Sequence, residues 1–121
     1  MMNTEKADAA VQALYKAVDR KDANYLAEVL GDEVRFQLGN FPTVAGKAEV
    51  LDANRGFFNS IESMRHRLDK TWQVGEETIC CGEVNYVRLD KTTYQARFAT
   101  VLRWHEGLIE DYQVYADISE L

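Results

Sequence analysis

The chain has 121 residues, of which 46% are hydrophobic and 28% are charged, and its net charge is −6 at pH 7. This length predicts a single domain, 1–121, that can bury a core without disulfides or metals. An acidic chain without a basic stripe argues against nucleic-acid binding. The absence of any apolar run of about 18 residues argues against a transmembrane helix and a membrane partner.

The N-terminus and the cysteines indicate the cellular compartment of the protein. The first residues contain no apolar signal segment, and the two cysteines, Cys80 and Cys81, are adjacent in a predicted strand. Neighbouring strand residues point to opposite faces, so these two thiols are badly placed to form a disulfide with each other. We therefore expect a cytoplasmic protein with reduced cysteines.

The first half of the chain reads as helical around one short strand. Asn3 or Thr4 can cap a first helix with Tyr15 at the border of its apolar stripe, and Asp22 can cap a second, shorter helix that Gly31 is expected to end. A short strand follows at 34–38. A third helix, from about residue 47 to 60, places these residues near one face: Val50, Leu51, Asn54, Phe57, Phe58 and Ile61.

The second half reads as four strands, at about 64–74, 78–89, 94–104 and 108–118, separated by turns. In the last two strands, Thr100 and Tyr112 fall in the register of the buried face, where a polar atom needs a partner or a ligand. Helices on one face of an antiparallel sheet predict an α+β fold. In the first of the four strands, five residues share the parity predicted to be buried: Met64, His66, Leu68, Trp72 and Val74.

Short motifs along the chain carry a resemblance to a known family. They are Val34-Arg35-Phe36 with Ala45-Gly46-Lys47, Met64-Arg65-His66 with Trp72 and Gly75-Glu76, and Arg103 to Glu110 with Tyr115-Ala116-Asp117 and Leu121. Their order resembles the SnoaL-like branch of the nuclear-transport-factor-2-like superfamily, which includes polyketide cyclases. The resemblance implies a cone-shaped, strongly curved antiparallel sheet packed against three helices from the N-terminal half around a pocket. It also implies a homodimer through the outer sheet face, but no single activity.

His66 is the sharpest candidate for chemistry, because its parity places it on the predicted buried face and histidine exchanges a proton near neutral pH. The alternative is a core or rim histidine that is satisfied by one hydrogen bond. A register slip of one residue would turn the side chain into solvent.

Comparison with ketosteroid isomerases of the same superfamily suggests further roles. Tyr15 matches the position of their oxyanion-stabilising tyrosine, although packing between helix and sheet is the alternative for it. Thr100 stands where they carry a protonated acid, and Leu38 stands where they keep the general base. These two departures disfavour ketosteroid isomerase activity.

Comparison with limonene epoxide hydrolases concerns Glu83, Asn85 and Val114, which stand where that type uses an arginine and two aspartates. The departures disfavour epoxide hydrolysis by that device. Glu83 and Asn85 share one strand parity with Cys81. Either this face looks inward and brings a carboxylate and an amide into the pocket, or it faces water.

The sequence thus predicts a small cofactor-free acid–base enzyme of the polyketide cyclase or isomerase type, acting on an apolar, carbonyl-containing organic ligand. The alternative is a non-catalytic ligand-binding or dimerisation domain. With two histidines and no ligand spacing around them, no metal site is expected. The predicted catalytic residues are His66, Tyr15 and Asn85, and the predicted substrate-binding residues are Glu83, Thr100, Tyr112, Trp72, Leu38, Phe57 and Val114.

Overall fold

Three helices and six strands make up the computed structural model, which describes residues 2–121. Within this range no helix is both long enough and apolar enough to cross a membrane. The elements are α1 Thr4–Asp19, α2 Ala23–Val29, β1 Leu30–Leu38, β2 Val44–Ala45, α3 Lys47–Asn59, β3 Ile61–Val74, β4 Glu77–Arg88, β5 Thr93–His105 and β6 Leu108–Ala116.

The first two helices begin at the predicted caps. The Asn3 side chain accepts a hydrogen bond from the backbone nitrogen of Lys6 at 2.8 Å, and Asp22 accepts one from Tyr25 at 3.1 Å. The prediction that Gly31 ends α2 is wrong. The chain turns extended one residue earlier, at Leu30, which is fully buried and opens β1.

The sheet has the strand order β2-β1-β6-β5-β4-β3, and β3 to β6 form the predicted antiparallel meander. It is mixed rather than wholly antiparallel, because β1 runs parallel to β6, with Phe36 paired to Tyr112. No hairpin links these two strands, so no short turn imposes their relative direction. The sheet is curled and unclosed; α1 packs on β3, and α3 packs on β1 and β3, which gives the expected α+β cone.

A β-bulge in β3 changes which side chains face the interior. The pairing with β4 shifts register between Leu68 and Lys70, so Asp69 is an extra residue. The approach is so close that a Cβ on Gly82 would lie 1.8 Å from the backbone oxygen of Arg67. Beyond the bulge the alternation is reversed and Trp72 is 44% exposed on the outer face. The prediction that Trp72 shares the inner face with His66 is therefore wrong.

Strand β4 settles the alternative that its parity left open. Glu83 and Asn85 lie on the outer face, where both accept hydrogen bonds from the amide nitrogen of Gln95, at 2.7 and 3.0 Å. The expectation that they enter the pocket is wrong, because the other parity supplies the residues that fill the interior. Those buried residues of β4 are Thr78, Cys80, Gly82, Val84 and Tyr86.

Candidate active site

A cavity of about 30 Å³ lies inside the cone, between the inner sheet face and helices α1 and α3. Four of the predicted substrate-binding residues line it: Tyr112 and the apolar residues Leu38, Phe57 and Val114. A buried water needs roughly 10–15 Å³ by this measure, so the space admits only a small group as it stands. The polar residues on its wall are Tyr15, Asn54, His66, Tyr86 and Tyr112.

His66 is held by Asp19, the last residue of α1. Its ring Nδ1 lies 2.6 Å from Asp19 Oδ1, and its backbone nitrogen donates to Oδ2 of the same carboxylate at 3.0 Å. The two side chains are 8% and 23% exposed. The imidazole also packs against the rings of Tyr15 and Phe98, at centroid distances of 4.4 and 5.2 Å.

This contact assigns the tautomer of His66. A carboxylate only accepts hydrogen bonds, so Nδ1 carries the proton when the ring is neutral. Nε2 is then left with its lone pair, the arrangement of a histidine base oriented by an acid. The prediction that His66 lies on the inner face and borders the pocket is confirmed.

Asp19 is a residue of this candidate site that the sequence alone did not indicate. An anion in the last turn of a helix opposes the helix dipole, at a cost of roughly 0.3–1 kcal/mol. This local conflict was the available signal, since such conflicts often mark functional sites. It could not have named the partner, because Asp19 and His66 are 47 positions apart in the chain.

Tyr15 lies beside His66 and is hydrogen-bonded to Thr100. The Tyr15 hydroxyl lies 2.5 Å from Thr100 Oγ1, and Thr100 is fully buried. Burial raises the pKa of Tyr15 well above its usual value, and the neighbouring Tyr112 raises it further. Burial likewise raises the pKa of Tyr112. Both hydroxyls therefore stay protonated and can donate hydrogen bonds throughout the physiological range.

The predicted site residues thus separate into two groups. Tyr15, His66 and Tyr112 line the cavity together with the three apolar residues named above, and Thr100 reaches it only through Tyr15. Asn85, Glu83 and Trp72 lie on the outer face, away from this cavity.

The SnoaL-like domain model matches residues 11–112, which is most of the chain. This chain belongs to the SnoaL-like family. No curated protein sequence matches the SnoaL-like domain described here.

Solved structures resemble this SnoaL-like domain over nearly its whole length. A nuclear-transport-factor-2-like protein of unknown function from Burkholderia pseudomallei K96243 has a TM-score of 0.85 at 22% identity, covering 99% of this chain and 95% of that one. A proposed SnoaL-like polyketide cyclase from Jannaschia sp. CCS1 has a TM-score of 0.84 at 11% identity, with coverages of 98% and 90%. An LEH-like epoxide hydrolase from Mycobacterium tuberculosis has a TM-score of 0.81 at 17% identity, covering 97% of this chain and 86% of that one. At these identities the likeness establishes the fold alone.

Proposed function

We propose that this SnoaL-like domain is a small cofactor-free enzyme that moves a proton at the carbon next to a carbonyl group. The observation that carries the proposal is the 2.6 Å contact by which Asp19 holds His66, a residue on the wall of an otherwise largely apolar cavity. Isomerisation, aldol cyclisation and dehydration of carbonyl compounds share this proton transfer. Similarity to a proposed polyketide cyclase agrees with the same class of chemistry.

In the proposed reaction, Nε2 of His66 takes the proton from the α-carbon while Asp19 holds the imidazole and stabilises the imidazolium that forms. The negative charge moves to the carbonyl oxygen, where a hydroxyl of Tyr15 or Tyr112 donates a hydrogen bond to it. Since burial raises the pKa of both hydroxyls, they are donors rather than bases. A base of this kind contributes about 10²–10⁴-fold to the rate.

The small cavity restricts the substrate. A space of about 30 Å³ receives the reacting end of a small ketone, and a polycyclic substrate would have to displace half-buried side chains such as Phe57 and Leu38. The first probes should therefore be short aliphatic ketones.

The test is deuterium exchange at the α-carbon of 2-pentanone in D₂O, followed by NMR. We expect His66→Gln to lower the protein-catalysed exchange rate by about 10²–10⁴-fold. His105→Gln is the matched control, because His105 is the other histidine and its side chain is 64% exposed. Exchange that is no faster with the native protein than in buffer, or that is unchanged in His66→Gln, would refute the proposal.

A second candidate, a non-catalytic ligand-binding or dimerisation domain, is favoured by the small cavity and by the outer sheet face. Trp72 and Tyr115 are exposed there, and the neighbouring pair Ile79 and Val101 extends the apolar strip between strands. Isolated exposed aromatics are common, but a continuous strip marks an interaction surface.

A second copy of the chain is the occupant that fits this strip. Charged pairs of both signs flank it, with Arg67 beside Glu83 on one side and Arg103 beside Asp111 on the other. A two-fold axis can bring such a face against itself with opposite charges matched. We expect sedimentation to show a dimer for the native protein and a monomer for Trp72→Glu. The control is Leu89→Glu, because Leu89 is an exposed apolar residue in the turn that follows β4. A native monomer would end this proposal.

A further inference from the structure

Asn54 is a buried amide on the apolar face of α3. It is 6% exposed, and the buried residues of the same helix face are Val50, Leu51 and Phe58. Asparagine is a poor helix former, and an amide loses free energy on burial unless it is hydrogen-bonded. Packing alone would be served better by leucine at this position. The polar group therefore needs another explanation.

The hydrogen bond that Asn54 makes fixes the direction of its amide. Nδ2 donates to the backbone oxygen of Val50 at 2.8 Å. A backbone carbonyl only accepts, so the nitrogen must face it and Oδ1 must point the other way. The Val50 carbonyl oxygen alone therefore decides which end of the Asn54 amide faces it.

Oδ1 of Asn54 has no hydrogen-bond donor among residues 2–121. Over the same residues, no side-chain oxygen or nitrogen that is sealed from open space lacks a partner. Oδ1 must therefore reach open space, and the space that Asn54 lines is the cavity it shares with His66 and Tyr112. The wall of the cavity thus presents an acceptor that only a ligand or water can satisfy.

We propose that Asn54 is a specificity-determining residue that accepts a hydrogen bond from a hydroxyl group of the substrate. The inference rests on the proposed function, since it concerns the same cavity. The tyrosine hydroxyls donate to a carbonyl oxygen, and Asn54 Oδ1 accepts from a donor elsewhere on the same molecule. A ligand that satisfies both is a small hydroxy ketone. A plain ketone would leave Oδ1 unpaired or force it to retain water.

Two probes of the same shape test this inference: 4-hydroxy-2-butanone and 2-pentanone, which differ by a hydroxyl in place of a methyl group. Dissociation constants are measured by NMR titration of the His66 ring resonances. We expect the native protein to bind the hydroxy ketone about tenfold more tightly than the plain ketone. In Asn54→Leu, which keeps the branched outline of the side chain but adds bulk and removes the acceptor, this preference should disappear or invert, because the leucine favours the methyl group.

Asn54→Asp and Asn54→Ala complete the series. The aspartate keeps an acceptor oxygen and should retain the preference, whereas the alanine removes the acceptor without adding bulk and should lose it, which gives a result even if the leucine variant does not fold. Equal affinities of the native protein for the two probes, parallel losses for both probes in the variants, or His66 resonances that 4-hydroxy-2-butanone leaves unmoved would each overturn the inference.

Failure of the proposed function would have a different signature. In that case α-proton exchange would be no faster with the native protein than with His66→Gln, while the binding preference and its dependence on Asn54 would persist.

Discussion

Two polar clusters border one cavity and differ in how far they are shielded from solvent. Tyr15, Thr100 and Tyr112 are all buried, and the Tyr15–Thr100 hydrogen bond at 2.5 Å is satisfied within the protein. Asp19 and His66 are less shielded from solvent, because the Asp19 side chain is 23% exposed. The hydroxyl cluster is therefore suited to hold fixed, neutral donors. The His66–Asp19 pair is suited to exchange a proton with solvent and substrate.

The largest effect is expected for Asp19→Asn, which sharpens this difference. An asparagine can still accept from the backbone nitrogen of His66, but its amide nitrogen would then face Nδ1 and force that atom to become an acceptor. The ring proton moves to Nε2 and removes the base, so exchange at the α-carbon of 2-pentanone should fall by about 10²–10⁴-fold.

The ¹⁵N chemical shifts of the His66 ring check the cause directly, since the two tautomers give opposite patterns. Asp52→Asn is the control, because Asp52 lies exposed on α3 and pairs only weakly with Arg55. An Asp19→Asn protein with Nδ1 still protonated would contradict the assignment of the pair.

Gly82→Ala should disturb the His66–Asp19 contact indirectly, because Gly82 belongs to neither cluster. Its Cβ would lie 1.8 Å from the Arg67 oxygen at the bulge that sets the course of β3 after His66. Backbone must move, so we expect the free energy of unfolding to drop by about 3 kcal/mol and the His66–Asp19 contact to loosen. In Gly56→Ala an added Cβ meets no atom within 4 Å, and this helical control should be neutral or stabilised by up to about 1 kcal/mol. Urea unfolding of both variants decides, and equal stabilities would show that the bulge tolerates a side chain.

The contrast between the clusters also explains what the sequence could and could not predict. Thr100 and Tyr112 follow from the alternation along two hairpin-linked strands, and Tyr15 follows from a helical stripe, so local periodicity and the family resemblance located that cluster. The Asp19–His66 contact depends on where the end of α1 meets β3, which no local pattern encodes.

The wrong predictions about site residues have one common origin in strand parity. Extending the alternation of β3 through Asp69 predicts Trp72 on the inner face, but the bulge inserts a residue at that point. Glu83 and Asn85 lie on a strand with apolar residues at both parities, so periodicity could not distinguish its faces, and packing with β5 decided. Asn54 was visible on the apolar face of α3, but its free oxygen could be recognised only with the helix in place.

Thr100→Val should lower the stability of the protein more than its exchange rate, the reverse of what is expected for Asp19→Asn. The valine keeps the shape and leaves the buried Tyr15 hydroxyl without its partner, so we expect a loss of about 1–3 kcal/mol in the free energy of unfolding. The exchange rate should fall by only about tenfold, since Tyr112 still offers a donor. Thr93→Val, at an exposed position of the same strand, should stay within about 0.5 kcal/mol of the native protein. A Thr100→Val protein as stable as native would mean that Tyr15 finds another partner.

The smallest effect concerns alkaline pH and tests whether the buried cluster stays neutral. Burial raises the pKa of Cys80, which is paired with Thr100 between β4 and β5, to about 12. Burial also raises the pKa values of Tyr15 and Tyr112. Above the ordinary pKa of each group the folded state holds a proton that the unfolded state has lost. Stability is therefore complete below that value and falls as pH rises, by about 1.4 kcal/mol per pH unit for each group.

The contributions of the Cys80 thiol and of the tyrosine hydroxyls can be distinguished by the pH at which each begins. The Cys80 contribution begins near pH 9, its ordinary value, and those of the tyrosines begin near pH 10. In urea unfolding as a function of pH, Cys80→Ala should flatten the decline between pH 9 and 10, whereas Tyr15→Phe should leave that interval unchanged and flatten only the decline above it. If Tyr15→Phe alters the lower interval, burial does not hold the pKa of Tyr15 above its ordinary value, and the division of roles between the two clusters fails.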